Sequence, residues 1–294
     1  MKYINHAHTQ KRMNIRLLKN AVAKTLFFLA TLFGLIVLVA LIYRVVTQGV
    51  HWIDMDFLTN RLSTDPEKAG IYGAVIGTLW LMAVMAPITL ILGVGTAVYL
   101  EEYARKNRFH RLIQTNISNL AGVPSVVFGL QGLTVFVRGM ELGAVVLAGG
   151  LTMSLLVLPI VVVAAQEAIR AVPQYLREAS FGMGATKWQT IRNIVLPAAL
   201  PGILTGVILA LSRAVGETAP LVVLGIPALL IPVPDSLFDK FTVLPLQIYY
   251  WTLDSALVRE YANLAAASIM VLLVILFLMN SIAILIRNKF QRRF

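Results

Sequence analysis

The chain contains no cysteine, few charges and little histidine. The absence of cysteine excludes disulfides, thiolate chemistry and cysteine-based metal sites, and it leaves the redox compartment undefined. Charged residues make up 13% of the 294 residues, against a usual share of about 25%, whereas 58% are hydrophobic. The four histidines do not pair at metal-ligand spacing on an apolar segment. This composition excludes an ordinary water-soluble globule.

Six long stretches without Asp, Glu, Lys or Arg follow one another along the chain. They cover residues 25–43, 71–100, 112–137, 142–166, 193–212 and 261–286. Each has 19 to 30 residues, and about 20 residues of helix cross a hydrocarbon core. A seventh run, 218–234, has 17 residues including four prolines, so a continuous helix there would leave backbone groups unpaired in lipid. We predict an all-α integral membrane protein with six transmembrane helices, in which 218–234 is a re-entrant or outer-surface segment.

Positive charge is distributed unevenly between the two sides that six spans define. Eighteen of the 25 Lys and Arg residues fall in the terminal segments and in the loops 101–111 and 167–193, and seven fall on the other side. Because Lys and Arg concentrate in cytoplasmic loops, both termini are predicted to be cytoplasmic. The expected organisation is a basic tail at 1–24, a membrane domain at 25–286 and a second basic tail at 287–294. Orientation explains the net charge of +11, so no nucleic-acid partner is expected.

The cytoplasmic loop between the fourth and fifth spans carries several local structural signals. Pro173 suits the first turn of a helix, and Gly184 can close that helix in a left-handed conformation. Thr186 and Gln189 have the spacing of a capping box for a second short helix, and Pro197 marks the approach to the fifth span. The prediction is a rigid helical hairpin, which either lies in the lipid headgroups or docks against another protein.

The same loop, 167–197, resembles the signature loop of the membrane subunits of bacterial ABC importers. The resemblance lies in Glu-Ala, a Gly six residues after the Glu, and Ile-Val-Leu-Pro after nine further residues; Ser180 stands where the pattern prefers a second Ala. The candidate coupling residues are Glu178, Ala179, Gly184, Ala185, Ile194, Leu196 and Pro197. In that family the loop forms coupling helices that dock into a cleft of a separate ATP-hydrolysing subunit.

The resemblance implies a type I ABC importer permease fold and a role for each part of the hairpin. Glu178 and Gly184 are expected to set its charge and its turn, whereas Ala179 and Ala185 are expected to permit close helix packing. The chain itself has no phosphate-binding loop, because residues 182–187 lack the required Gly and Lys-Ser/Thr spacing and follow no predicted strand. We therefore expect a transport subunit rather than an enzyme, with no cofactor of its own and with ATP and Mg²⁺ bound by the partner.

Two charged residues stand close together in the fifth span. Arg213 costs about 2.5 to 3.5 kcal/mol at the centre of a bilayer, so it needs a partner or a watery pathway. Glu217, four residues later, supplies either a structural ion pair or a group that orients Arg213 toward an anion in transit and permits its release. Arg138 at the outer end of span three and Arg170 at the inner end of span four either snorkel to the interfaces or attract anions at the two mouths.

Residues 121–129, Ala-Gly-Val-Pro-Ser-Val-Val-Phe-Gly, and 212–221, Ser-Arg-Ala-Val-Gly-Glu-Thr-Ala-Pro-Leu, resemble the permeases of the phosphate-specific transporter. The second stretch is similar to the A-type subunit rather than to its C-type paralogue. The resemblance implies a homologous C-type permease partner, two copies of an ABC ATPase and an extracytoplasmic phosphate-binding protein, assembled in the lipid of the bacterial cytoplasmic (inner) membrane. The alternatives are a sulfate or molybdate permease, or a nucleotide-independent channel or membrane scaffold.

Overall fold

The computed structural model describes residues 6–227 and 232–290, and this part of the chain is helical. An isolated bridge between Val145 and Lys240 is the one piece of β-pairing within the described ranges. The helices are α1 (His6–Gly49), α2 (Met55–Thr59), α3 (Tyr72–Val98), α4 (Arg108–Leu120), α5 (Ser125–Gly132), α6 (Val146–Arg170), α7 (Gln174–Gly182), α8 (Lys187–Thr190), α9 (Leu196–Val215), α10 (Ala219–Val223), α11 (Leu244–Asp254) and α12 (Glu260–Phe290). The all-α prediction is confirmed.

Five helical segments of the described chain are long and apolar enough to cross a membrane. They are Arg16–Trp52, Tyr72–Tyr103, Val146–Arg170, Lys187–Val215 and Glu260–Lys289. The pair Arg108–Leu120 and Ser125–Gly139 is also long and apolar enough, but its two halves meet at 102°, so it forms either a broken sixth span or a re-entrant loop. The described chain thus has five or six candidate spans, which agrees with the predicted six when the bent pair is counted as one, and the chain is a multi-pass membrane protein.

The third span differs from the straight helix expected over 112–137. Gly122 and Pro124 lie between α4 and α5, and Pro124 lacks the backbone N–H that a continuous helix would use. Pro124 also disfavours the helical conformation for Val123, the residue before it. We call residues 121–124 the elbow. The absence of charge in this stretch indicated an apolar segment but did not reveal the break.

The core forms where α3, α6 and α9 pack together. Large side chains such as Met85 of α3, Met153 of α6 and Ile203 of α9 are at most 1% exposed there. Gly206 permits a close approach of α9 to α6, because a Cβ at this position would lie 2.4 Å from the Cβ of Ala164. These three helices consequently form a framework against which the shorter elements are positioned.

A second apolar cluster closes the end of the bundle where α3 and α12 begin. Phe57 of α2 and Trp251 of α11 are buried side by side, with ring centroids 6.4 Å apart. Asp54 caps α2 by accepting a hydrogen bond from the Phe57 N–H at 2.7 Å. The hydroxyl of Tyr261 donates to the Thr64 carbonyl at 2.8 Å. This cluster lies opposite the end at which α6 leads into the hairpin.

The described parts of the proline-rich run 218–234 contain no spanning helix. The five-residue α10 is followed by a turn, and Leu221, Leu224 and Ile226 are each 1% exposed. Residues 228–231 of this run lie outside the described ranges. After it, the backbone N–H groups of Asp235 and Ser236 donate to the Asp239 carboxylate and lower its pKa.

Helix α1 lies at the edge of the bundle. Its residues from Arg16 to Arg44 are exposed, and near its end Gly49 packs against the backbone of Ala266 and Ala267 in α12. The described part of the predicted 1–24 tail is thus helical and continuous with the first span. Residues 1–5 of that tail and 291–294 of the predicted 287–294 tail lie outside the described ranges.

Candidate functional sites: a helical hairpin and a membrane cavity

The predicted hairpin follows α6. Pro173 immediately precedes α7, and Gly184 ends the helix with a φ of 79°, in the left-handed region predicted for it. The Gly184 N–H donates to the Phe181 carbonyl at 2.9 Å, and the Ala185 N–H donates to the Ser180 carbonyl at 3.2 Å. A Cβ on Gly184 would meet no atom within 4 Å, so backbone conformation rather than space favours glycine at this turn.

The predicted capping box at the start of α8 is also present. The Thr186 N–H donates to Gln189 Oε1 at 2.8 Å, and the Gln189 N–H donates to Thr186 Oγ1 at 3.4 Å. However, α8 is not a separate short helix, because a π-helical turn at Ile191–Val195 joins it to α9. Pro197 therefore lies inside the continuous helical segment Lys187–Val215, directly after the π-helical turn, and local π adjustments of this kind let a helix accommodate a proline that lacks its N–H. A displacement of the hairpin would therefore act directly on the fifth span.

The hairpin is anchored on one face and open on the other. Ser180 of α7 and Thr190 of α8 join their hydroxyls at 2.9 Å, and Ile191 is 1% exposed. On the open face, Met183 is 89% exposed and Trp188 is 54% exposed. An apolar surface of this kind at the end of a membrane bundle is suited to contact with another protein or with lipid headgroups.

The candidate coupling residues occupy both faces of the hairpin. Glu178 is exposed, and its Oε1 accepts a hydrogen bond from Gln174 Nε2 at 3.0 Å. Ala179 is exposed too, so the close packing expected for it does not occur within this chain. The half-buried candidates are Ala185, Ile194, Leu196 and Pro197.

A cavity of about 340 Å³ lies between the elbow, α6 and the end of α9. Arg213 and Glu217 both line it, and Arg213 Nε lies 3.6 Å from Glu217 Oε1. Leu156, Val157 and Ile160 of α6 form its apolar wall. The cavity thus places one cation and one anion beside the break in the third span.

The ion pair has a different setting from the one the spacing predicted. Helix α9 ends at Val215 with Gly216 as its C-cap, so Glu217 lies beyond the helix rather than on the same helical face. The ion pair joins the last turn of α9 to the residue that follows its C-cap. It is accessible at the surface of this chain, since the Arg213 side chain is 65% exposed and the Glu217 side chain 22%. Immediately afterwards Pro220 packs against Gly129 of α5, where a Cβ would lie 2.8 Å from the Pro220 Cα.

Arg138 and Arg170 are not part of this cavity. Arg138 is exposed at the end of the third span, and no acidic side chain of the described residues lies within ion-pair distance of it. Arg170 lies at the C-terminal end of α6, where it pairs with Glu101 at 2.5 Å and Glu167 at 3.1 Å. The structure therefore brings together two of the four predicted pathway residues.

Sequence reasoning missed a polar cluster that lies between the hairpin and the ends of α3 and α6. Glu101 and Glu102, in the π-helical turn Tyr99–Tyr103 after α3, resembled solvated loop charges but are largely buried, with side chains 8% and 12% exposed. Gln166 is fully buried and bonds to both Glu101 and Gln114. Because these partners are 52 to 65 positions apart, no local pattern reveals them.

Comparison with known proteins defines the class to which this fold and these sites belong. Residues 89–294 match the family described as binding-protein-dependent transport system inner membrane component. The chain belongs to this family, and it is accordingly a transport subunit. The predicted relationship to ABC importer permeases is thereby confirmed.

Individual relatives and solved structures agree with this assignment. The chain is 41% identical over 213 residues, 71% of its length and 70% of the relative's, to "Phosphate transport system permease protein PstA 1" of Mycobacterium tuberculosis. It is 31% identical over 286 residues, covering 95% and 94%, to "Phosphate transport system permease protein PstA" of Yersinia pestis. A bacterial ABC transporter involved in alginate import has the same fold, with a TM-score of 0.65, 16% identity, and 94% and 100% of the two chains covered.

Proposed function

We propose that this chain is the membrane-spanning permease subunit of an ATP-driven importer of inorganic phosphate. The relatives named as phosphate transport permeases support the substrate. The observation that carries the proposal is the position of Arg213, which lines a cavity inside a spanning bundle and yet leaves 65% of its side chain exposed. A lipid-facing guanidinium would be costly, so this face borders a watery pathway or a partner.

The geometry supports a division of roles between the two charged residues. Arg213 offers planar, charge-assisted donors that suit a tetrahedral oxyanion. Glu217, 3.6 Å away, orients the guanidinium and competes with the anion for it, which favours release. Arg138 lies outside the cavity and has no acidic partner among the described residues, and we propose that its charge attracts anions toward the mouth at that end. Arg170 is paired with two carboxylates, which compensate its charge, so we do not propose that it attracts anions.

We propose the following assembly around this subunit. A homologous C-type permease supplies the other half of the pathway, and two ABC ATPase subunits dock on the coupling hairpins and hold ATP and Mg²⁺. An extracytoplasmic phosphate-binding protein delivers substrate from outside. The exposed apolar face of Met183 and Trp188 supports docking by the hairpin, and the exposed apolar surface of α1 supports placement in a membrane. The family's description as an inner membrane component supports the bacterial inner membrane.

We expect both termini and the hairpin to be cytoplasmic because of the charge asymmetry. In a chain without native cysteine, Met183→Cys and Asn288→Cys should be protected from an impermeant thiol reagent in intact cells, whereas Glu67→Cys should react. All three residues are exposed in this chain, and the labelling uses cells that lack the ATPase subunit because that subunit would cover Met183, so protection reports sidedness rather than burial. Permeabilised cells provide the control, since all three cysteines should then react. Labelling at Asn288 with protection at Glu67 would reverse the orientation.

ATPase assays on the reconstituted complex test the substrate. Phosphate-loaded binding protein should stimulate hydrolysis, whereas sulfate- or molybdate-loaded binding proteins should not. Stimulation by one of the other oxyanions alone would reassign the substrate. Failure of any ATPase subunit to co-purify would favour a nucleotide-independent channel or scaffold.

A further inference from the structure

The π-helical turn that ends α3 contacts three elements through three consecutive residues. Glu101 pairs with Arg170 of α6, Glu102 pairs with Arg177 of α7, and the Tyr103 ring lies 5.0 Å from Lys187 Nζ of α8. We call Glu101, Glu102 and Tyr103 the joint. Both helices of the hairpin and the fourth span thus meet at one turn, and π-helical turns of this kind are frequent at functional sites.

Arg177 of α7 donates hydrogen bonds to three separate residues near the joint. Its Nη2 donates to Glu102 Oε1 at 3.0 Å and to the Ile169 carbonyl at 3.0 Å, and its Nη1 donates to the Val172 carbonyl at 2.6 Å. The Arg177 side chain is 19% exposed and that of Glu102 12%, so water screens the pair weakly. One guanidinium therefore connects the hairpin to the ends of α3 and α6.

Two hydrogen-bonded amide side chains, the buried Gln166 and the half-buried Gln114, continue from the joint toward the cavity. Gln166 Nε2 donates to Glu101 Oε1 at 2.9 Å, and Gln166 and Gln114 bond to each other at 2.8 and 3.0 Å. Gln114 belongs to α4, which ends at the elbow lining the Arg213 cavity. Side-chain contacts therefore run from the hairpin to Gln114, and the remaining turns of α4 connect Gln114 to the elbow.

We propose that the joint transmits movement of the ATPase-docking hairpin to α3 and α6, and through Gln166 and Gln114 to α4 and the elbow. In this role Glu102 and Arg177 are positioning residues that touch neither ATP nor the transported anion. The inference rests on the proposed function, since it requires an ATPase on the hairpin and an anion in the cavity. A merely structural pair would instead affect how much complex assembles, without changing what each complex does.

The test measures stimulated ATPase activity and phosphate uptake per assembled complex in proteoliposomes. Glu102→Gln and Arg177→Gln should each lower both quantities about tenfold while leaving basal hydrolysis unchanged, a loss typical of coupling between sites. The double variant should be no worse than the more severe single variant, because both changes remove the same contact. Glu167→Gln is the matched control: it neutralises an exposed acid at the same end of the bundle and should change uptake by less than about twofold.

Uptake per complex within about twofold of wild type in both single variants would overturn the proposal. Complete loss of assembly in Glu102→Gln, Arg177→Gln and the milder Arg177→Lys would do so too, because the pair would then be a folding contact. If phosphate-loaded binding protein fails to stimulate the wild type, the proposed substrate is wrong. The joint can then be tested with whichever oxyanion-loaded binding protein stimulates it.

Discussion

Arg213→Gln is expected to lower phosphate uptake per assembled complex by about 10- to 100-fold, the rate equivalent of the 1.5 to 3 kcal/mol that hydrogen bonds to charged groups contribute. Glutamine retains donors of similar reach but lacks the charge that offsets the hydration lost by an anion. Because Arg213 lies at the cavity surface with 65% of its side chain exposed, the substitution should leave assembly intact. The measurement is uptake of labelled phosphate in proteoliposomes, normalised to ATPase subunit bound.

The double variant Arg213→Gln with Glu217→Gln separates this role from a purely structural ion pair. If the pair only stabilises the end of α9, removing both charges should restore much of what either single variant loses, since no uncompensated charge remains. If Arg213 binds the anion in transit, the double variant should instead assemble well and transport poorly. Near-normal uptake by a well-assembled double variant would remove Arg213 from the pathway.

Gly184→Val should abolish most coupling between ATP hydrolysis and transport while the protein still inserts. A β-branched residue is strained at the φ of 79° observed here, at a cost of about 1 to 3 kcal/mol. The turn would relax by changing the angle between α7 and α8, and the hairpin would no longer present the same face. Co-purification of the ATPase and stimulated hydrolysis per complex measure this effect, with an expected loss of about tenfold or more.

Gly182→Val provides the matched control for this substitution. Both glycines lie on the same exposed hairpin, and a Cβ would meet no atom within 4 Å at either position. Gly182, however, is the last residue of α7 and has no positive φ, so valine there adds surface without forcing the turn. Equal losses in the two variants would show that bulk on the docking surface, rather than backbone strain, impairs coupling.

The hairpin was predictable in detail because its determinants are local. Proline at a helix start, glycine in the left-handed region and a Thr-x-x-Gln box each act within four residues, and all three features are present. The continuity of α8 with α9 was not predictable, because Pro197 reads as a boundary in sequence. In the structure it follows the π-helical turn Ile191–Val195, which carries the helix past the proline.

The elbow and the joint were missed for different physical reasons. At the elbow, the uncharged run 112–137 is long enough to span a membrane. A count of uncharged residues does not show where a helix breaks, and the break depends on Pro124. At the joint, Glu101 and Glu102 stand in a charged loop, and only the tertiary fold brings Arg170 and Arg177 to them from about 70 positions away. Local rules therefore recovered the spans and the hairpin, whereas the route between hairpin and cavity depends on long-range packing.

Uptake of labelled phosphate into proteoliposomes tests the central claim most directly. The vesicles contain this chain with its partner permease and ATPase, and they are supplied with phosphate-binding protein and ATP on the appropriate sides. The account predicts accumulation against a phosphate gradient, lost when ATP is omitted or when the ATPase carries a hydrolysis-deficient substitution. Equilibration of phosphate without ATP, or ATP-driven accumulation of another oxyanion in place of phosphate, would contradict it.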